Sequence, residues 1–239
     1  VLTVNTDKPP AKVCVAFFER EEDIWSSDYW KEWYASFDYH SLPLVRSSQD
    51  HVEVGAPPIK TKYGWLLIYS YIYNYFSPPA SFGVEAALLD LKNPMKIIAR
   101  TEKTLLISQE NYEKYGKVPN IVFPTGGYVK GKELRLYYGA ADTVCALAIG
   151  EADELLKVLL KSNVVRLEKF SGNPIIKPLR EHPWESKAVF NPGVFYDEKK
   201  IHLVYRAMSD DNTSVFGYAS TKNGFDIDER LSQPIYVPR

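Results

Sequence analysis

Asp50-His51-Val52-Glu53 sets two carboxylates and an imidazole side by side, just ahead of the strand-like Pro57-Pro58-Ile59. Alternation along an extended chain puts neither carboxylate on an isolated surface loop. Asp50 and Glu53 are therefore the best-placed local carboxylates for general acid–base work or for holding a polar ligand. Both also read as solvated rim residues, and His51 as a packed or exposed histidine. Other chemical templates fail, since there is no Gly-rich phosphate loop, no His-Glu-x-x-His pair and no nucleophile elbow. Cys14 and Cys145 lie far apart in apolar contexts without ligand spacing, so the sequence predicts buried free thiols and no metal. Asn212-Thr213-Ser214 fits a glycosylation sequon by spacing alone.

The elements that must position these groups recur along the chain. Pro57-Pro58-Ile59 leads to Gly64-Trp-Leu-Leu-Ile-Tyr69, Phe123-Pro124-Thr125-Gly126 to Leu134-Arg-Leu-Tyr-Tyr138, and Phe190-Asn191-Pro192-Gly193 to Ile201-His-Leu-Val-Tyr205, at an interval of about 67 residues. A third, small-residue strand follows each: Val84–Asp90, Val144–Ile149 and Ser214–Ala219. Short strands repeated at so long a period predict a β-propeller, which places ligand sites at the ring centre. Residues 12–18 read as a strand and 19–39 as a loop with a short helical turn, together the tail of a further blade. The stretch Tyr69 to Pro79 reads as a rigid surface loop, Glu151–Leu160 as a helix with its acidic residues first, and Lys222-Asn223-Gly224 as a hairpin turn.

The composition excludes several classes. With 45% hydrophobic and 25% charged residues, the 239-residue chain can bury a core and has no disordered character. A net charge of −1 without a Lys/Arg block predicts neither a nucleic-acid nor a membrane partner. Seventeen Tyr and five Trp suit β-structure and also the stacking of sugar rings, although most must simply pack sheet faces. No transmembrane run or signal-peptide pattern appears, which predicts a cytoplasmic location.

The phrases Gly55-Ala-Pro-Pro-Ile-Lys-Thr61, Gly64-Trp-Leu-Leu-Ile-Tyr69, Ala87-Leu-Leu-Asp-Leu91, Val118-Pro-Asn-Ile-Val-Phe-Pro-Thr-Gly126 and Tyr137-Tyr-Gly-Ala-Ala-Asp142 closely resemble the C-terminal half of glycoside hydrolase family 130. Asn173-Pro-Ile-Ile, Trp184-Glu185, Phe190-Asn-Pro-Gly, Val204-Tyr-Arg-Ala207 and Ser214-Val-Phe-Gly-Tyr-Ala219 resemble its N-terminal half. The order is inverted: 1–160 matches the later half and 165–239 the earlier one, within a single incomplete domain. The resemblance implies an all-β, five-bladed propeller of which this chain supplies about three to four blades. A second chain or a missing segment is then expected to close the ring, because open sheet edges are a liability.

The same resemblance implies cleavage of β-mannosides, mostly by inverting phosphorolysis to mannose 1-phosphate. Inorganic phosphate is the co-substrate, and no further cofactor is expected. Hydrolysis, or glycan binding without turnover, is the alternative. Asn191, Arg206 and Asp142 match positions lining the sugar-binding centre, and Tyr138 joins them from the Asp142 phrase. A carboxylate, an amide and a guanidinium suit vicinal hydroxyls. Each also has a structural reading: Asp142 capping a turn, Asn191 forming an Asx turn before Pro192, and Arg206 pairing with Asp210 or Asp211. Ser70 stands where the phosphorylases carry a phosphate-contacting His, and a hydroxyl brings no positive charge. The Glu-Asp-Pro-Arg phrase that holds the family's general acid is absent from these residues, so the acid is expected beyond Arg239 and no catalytic residue is assigned within the chain.

Overall fold

The three repeats become three antiparallel sheets in the computed structural model, which describes residues 1–4, 10–77, 79–161, 167–197 and 199–238. The first sheet contains His51–Val54, Ile59–Lys60, Trp65–Tyr73, Ser81–Leu89, Ile97–Arg100 and Leu106–Ile107. The second runs Val122–Lys130, Glu133–Ala140, Val144–Glu151 and Glu168–Lys169, and the third Ala188–Tyr196, Ile201–Met208, Ser214–Thr221 and Glu229–Arg230. In the second and third sheets sequential strands pair with their neighbours in chain order, the up-and-down plan of a propeller blade. Pro124 and Pro192 lie on edge strands where the register shifts, a position in which a missing N–H costs no ladder bond.

The sheets stack face to face. Leu66 and Ile68 meet Leu134, Leu136 and Tyr138 in one core layer, while Tyr137 and Leu147 meet Val189, Leu203 and Tyr205 in the next. Successive side chains change face along a strand. Because the sheets stack one after another, the equivalent strand-end positions Ser70, Gly139 and Arg206 face, in turn, the first crevice, the second crevice and the outer side of the third sheet. That outer side leaves Phe195, Val204 and Phe216 exposed.

Each repeat's terminal tyrosine has a shared purpose that the sequence did not reveal. Tyr69 donates to Glu85 (3.1 Å), Tyr138 to Glu113 (2.9 Å) and Tyr205 to Glu185 (2.9 Å). All three glutamates are fully buried, and each is paired with a cation: Arg46, Lys169 and Arg230 respectively. A buried carboxylate is tolerable only when paired and hydrogen-bonded, so each sheet carries one complete buried clamp. Burial is also the leading cause that pushes all three phenols above their usual range.

Several predicted boundaries move. Strand Trp65–Tyr73 extends well into the predicted surface loop, because Tyr71 and Tyr73 find buried partners in Asp50 and Glu85; Pro78 of that loop lies outside the described residues. The strand over 12–18 shrinks to Lys12–Cys14, which pairs with Leu2–Val4. The loop over 19–39 instead holds helix Ser27–Ala35, N-capped by Ser26, between two 3-10 turns. The predicted helix is present as Ala152–Lys161. Among the described residues no helix is long and apolar enough to cross a membrane.

Candidate functional site

The turn carrying Asp142 is held in an unusual conformation. Thr143 N–H donates to the Ala140 carbonyl (3.0 Å), and both central residues, Ala141 and Asp142, are left-handed with φ of 48° and 49°. This is the primed turn that suits a twisted hairpin, but without the glycine that usually relieves it. Segment 116–118 is strapped across the turn: Lys117 N–H donates to Thr143 Oγ1 (2.9 Å) and Val118 N–H to the Ala141 carbonyl (3.1 Å). Gly116 permits that approach, since a Cβ there would lie 2.4 Å from Thr143 Oγ1 and 2.6 Å from the Ala141 oxygen.

Asn191 is also left-handed (φ 52°) and occupies the register break between Phe190 and Gly193. Its side chain packs over Gly139, where a Cβ would come within 2.7 Å of Oδ1. Phe190 pairs across the strands with Arg206, whose guanidinium carbon lies 5.0 Å from the ring centroid.

None of the three structural readings is realised. Among the described residues, Asp142 accepts no hydrogen bond and has no ion-pair partner within 4.0 Å, and Asn191 Oδ1 is buried without a partner. Arg206 donates to Ser214 Oγ (3.0 and 2.8 Å) instead of pairing with Asp210 or Asp211. The Asp142 carboxyl is raised above the usual range, chiefly by burial. Lys117 and Arg206 pull it back, while Glu53 adds to the rise. Asp142, Arg206, Lys117 and Glu53 therefore lie within electrostatic reach without pairing.

The remaining predicted residues divide. Glu53 receives a contact from His51 Nε2 at 3.0 Å and sits directly across from Ser70, whose hydroxyl is fully buried and unpartnered. Asp50 is buried and accepts from Tyr71 OH (2.7 Å) and Asn74 N–H (3.0 Å), so it fastens the sheet to its loop. Tyr138 is fully buried with its hydroxyl given to Glu113, inside the stack and not at the cluster. Lys117 was not singled out by the sequence, since no motif in Tyr115-Gly116-Lys117-Val118 marks it. Among the described residues no cluster suited to a metal ion occurs, and Cys14 and Cys145 are buried and unpaired.

Antiparallel sheets of sequentially paired strands, stacked face to face, define a β-propeller-type fold. The fold agrees with that of a GH32 beta-fructofuranosidase from Bombyx mori, which is 19% identical, has a TM-score of 0.50, and aligns over 89% of this chain and 42% of its own. Residues 43–161 match the family model for glycoside hydrolase 130, described as beta-1,4-mannooligosaccharide phosphorylase. A 1,2-beta-oligomannan phosphorylase from Thermoanaerobacter sp. (strain X514) is 38% identical over 146 residues, covering 59% of this chain and 47% of the relative. A beta-1,2-mannobiose phosphorylase from Listeria innocua is 36% identical over 139 residues, covering 51% and 38%. Through this segment the chain is similar to glycoside hydrolase family 130. It spans about half the length of the curated relatives it matches, or less.

Proposed function

We propose that the full-length protein cleaves β-mannosides by inverting phosphorolysis. A phosphate oxygen attacks the anomeric carbon, the glycosidic C–O bond breaks, and the leaving oxygen takes a proton from a carboxylic acid, giving mannose 1-phosphate and a shortened mannoside. The observation that carries this reading is the pair of unpartnered groups Asp142 and Asn191 Oδ1, held by left-handed backbone, with Arg206, which has no carboxylate partner, within electrostatic reach of Asp142. Unpaired buried polar atoms are costly and are retained where a ligand satisfies them. Asp142 would accept from vicinal hydroxyls, Asn191 would both give and take, and Arg206 would donate. The general acid is supplied from a segment beyond Arg239, and that segment or a second chain closes a five-bladed ring over the exposed outer side of the third sheet. The chain would then be one domain with the family's halves in inverted order, 165–239 corresponding to the earlier half. Two unpaired thiols favour a cytoplasmic location.

Hydrolysis is the second reading, favoured by Ser70 and Glu53. An uncharged hydroxyl beside a carboxylate suits water better than an anion. Incubating the full-length protein with β-mannosides, with and without phosphate, separates the readings. Phosphate-dependent mannose 1-phosphate supports phosphorolysis, free mannose supports hydrolysis, and binding without turnover removes the enzyme reading altogether.

A further inference from the structure

Among the described residues, Lys117 is an ammonium with no carboxylate partner. Its Nζ lies 3.3 Å from Met208 Sδ and 5.9 Å from the Phe190 centroid, and no described acid lies within 4.0 Å of it. A thioether is a weak acceptor and a ring face a diffuse one, so neither uses the donors of a lysine fully. Ala188, Phe190 and Met208 form one small buried apolar cluster on the outer side of the third sheet. Arg206 stands on that same side, across from Phe190, and spends two donors on Ser214. Two cations therefore flank one aromatic ring from a loop and a strand. The loop is fixed by the Gly116 approach and its two backbone bonds to the Asp142 turn.

We infer that Lys117, together with Arg206, binds the phosphate on which this protein acts. This rests on the phosphorolytic reading and adds to it a residue and a direction of approach. Phosphate would sit among the exposed heads of Lys117 and Arg206, above the buried Phe190 and Met208, with both cations donating to it. Asp142 lies within electrostatic reach of both cations and opposes the anion, which makes two cations necessary where one would be neutralised.

The test uses the full-length protein with inorganic phosphate and a β-mannobiose. Losing one charge-assisted contact predicts that Lys117→Gln raises the KM for phosphate about 10- to 100-fold, with the KM for mannobiose within about twofold. Lys117→Arg recovers most of the loss. An unchanged phosphate KM, or both KM values rising together, overturns the assignment. A wild-type protein that releases only free mannose defeats the phosphorolytic reading instead. Phosphate titration followed by 31P NMR still decides the site in that case: wild-type binding that Lys117→Gln abolishes upholds it, and equal or absent binding in both proteins overturns it. Lys117 is exposed on its loop and its side chain makes no ion pair among the described residues, so circular dichroism and melting are expected to match wild type.

Discussion

Gly116→Ala places a single methyl group where the structure leaves no space for one. Its Cβ would meet Thr143 Oγ1 at 2.4 Å, the Ala141 oxygen at 2.6 Å and the Ala141 Cβ at 2.7 Å. Gly116 is not among the residues with positive φ, so alanine suits its backbone and removes unfolded-state entropy worth roughly 0.4–1 kcal/mol. Overpacking against backbone costs about 1–3 kcal/mol and wins, leaving a net loss of roughly 1–2 kcal/mol. The larger effect falls on function. Relief requires segment 116–118 and turn 140–143 to move apart, which displaces Lys117 and Asp142 together, and a shift of about 1 Å can cost on the order of 100-fold in rate. Urea unfolding and phosphorolysis rates of the full-length variant check both parts. Adding Thr143→Ala removes one of three close contacts and so fails to restore activity. A Gly116→Ala protein with wild-type kcat/KM would refute the view that this strap positions the site.

Two further outcomes follow from the buried and unpaired carboxylates. Glu113→Ala deprives Lys169, Tyr138 and two backbone N–H groups of their acceptor, and orphaning one partner of a buried pair costs about 3–5 kcal/mol; urea midpoints should show this, with Lys169→Met in the same protein recovering part of it. Asp142 has the opposite sign to an ordinary paired acid. Its folded carboxyl is raised, so the ionised form is the less favoured one, and its cost to stability appears as pH rises through the folded value and vanishes below the unfolded one. Asp142→Asn is therefore expected to melt higher than wild type at pH 7, to lose that advantage in acid, and to lose activity throughout.

Much of the architecture was legible because it is periodic. The three apolar runs ending in Tyr69, Tyr138 and Tyr205 became central strands of three sheets, and the prolines marked their edges. The partners of those tyrosines were not legible, because Glu85 lies within its own sheet, Glu113 in a short helix and Glu185 in a 3-10 turn. Equivalent contacts made from non-equivalent positions leave no period to detect. Lys117 was hidden for a related reason: nothing in Tyr115-Gly116-Lys117-Val118 says that this loop folds back on a hairpin made later in the chain. Asn191 and Arg206 were singled out by a motif and Asp142 likewise, but their lack of partners is a property of three dimensions alone.

Because the three sheets stack one after another, Ser70, Gly139 and Arg206 occupy one place in the repeat yet look into different spaces. A substitution at one of them alters a single wedge of the molecule and leaves the others untouched. Such an arrangement is modular: the same place in the repeat is uncharged at Ser70 and charged at Arg206 within one shared frame. Charge at this place can thus differ from wedge to wedge, and the exposed Arg206 position carries it where the fully buried Ser70 position has no room for an unpaired ion.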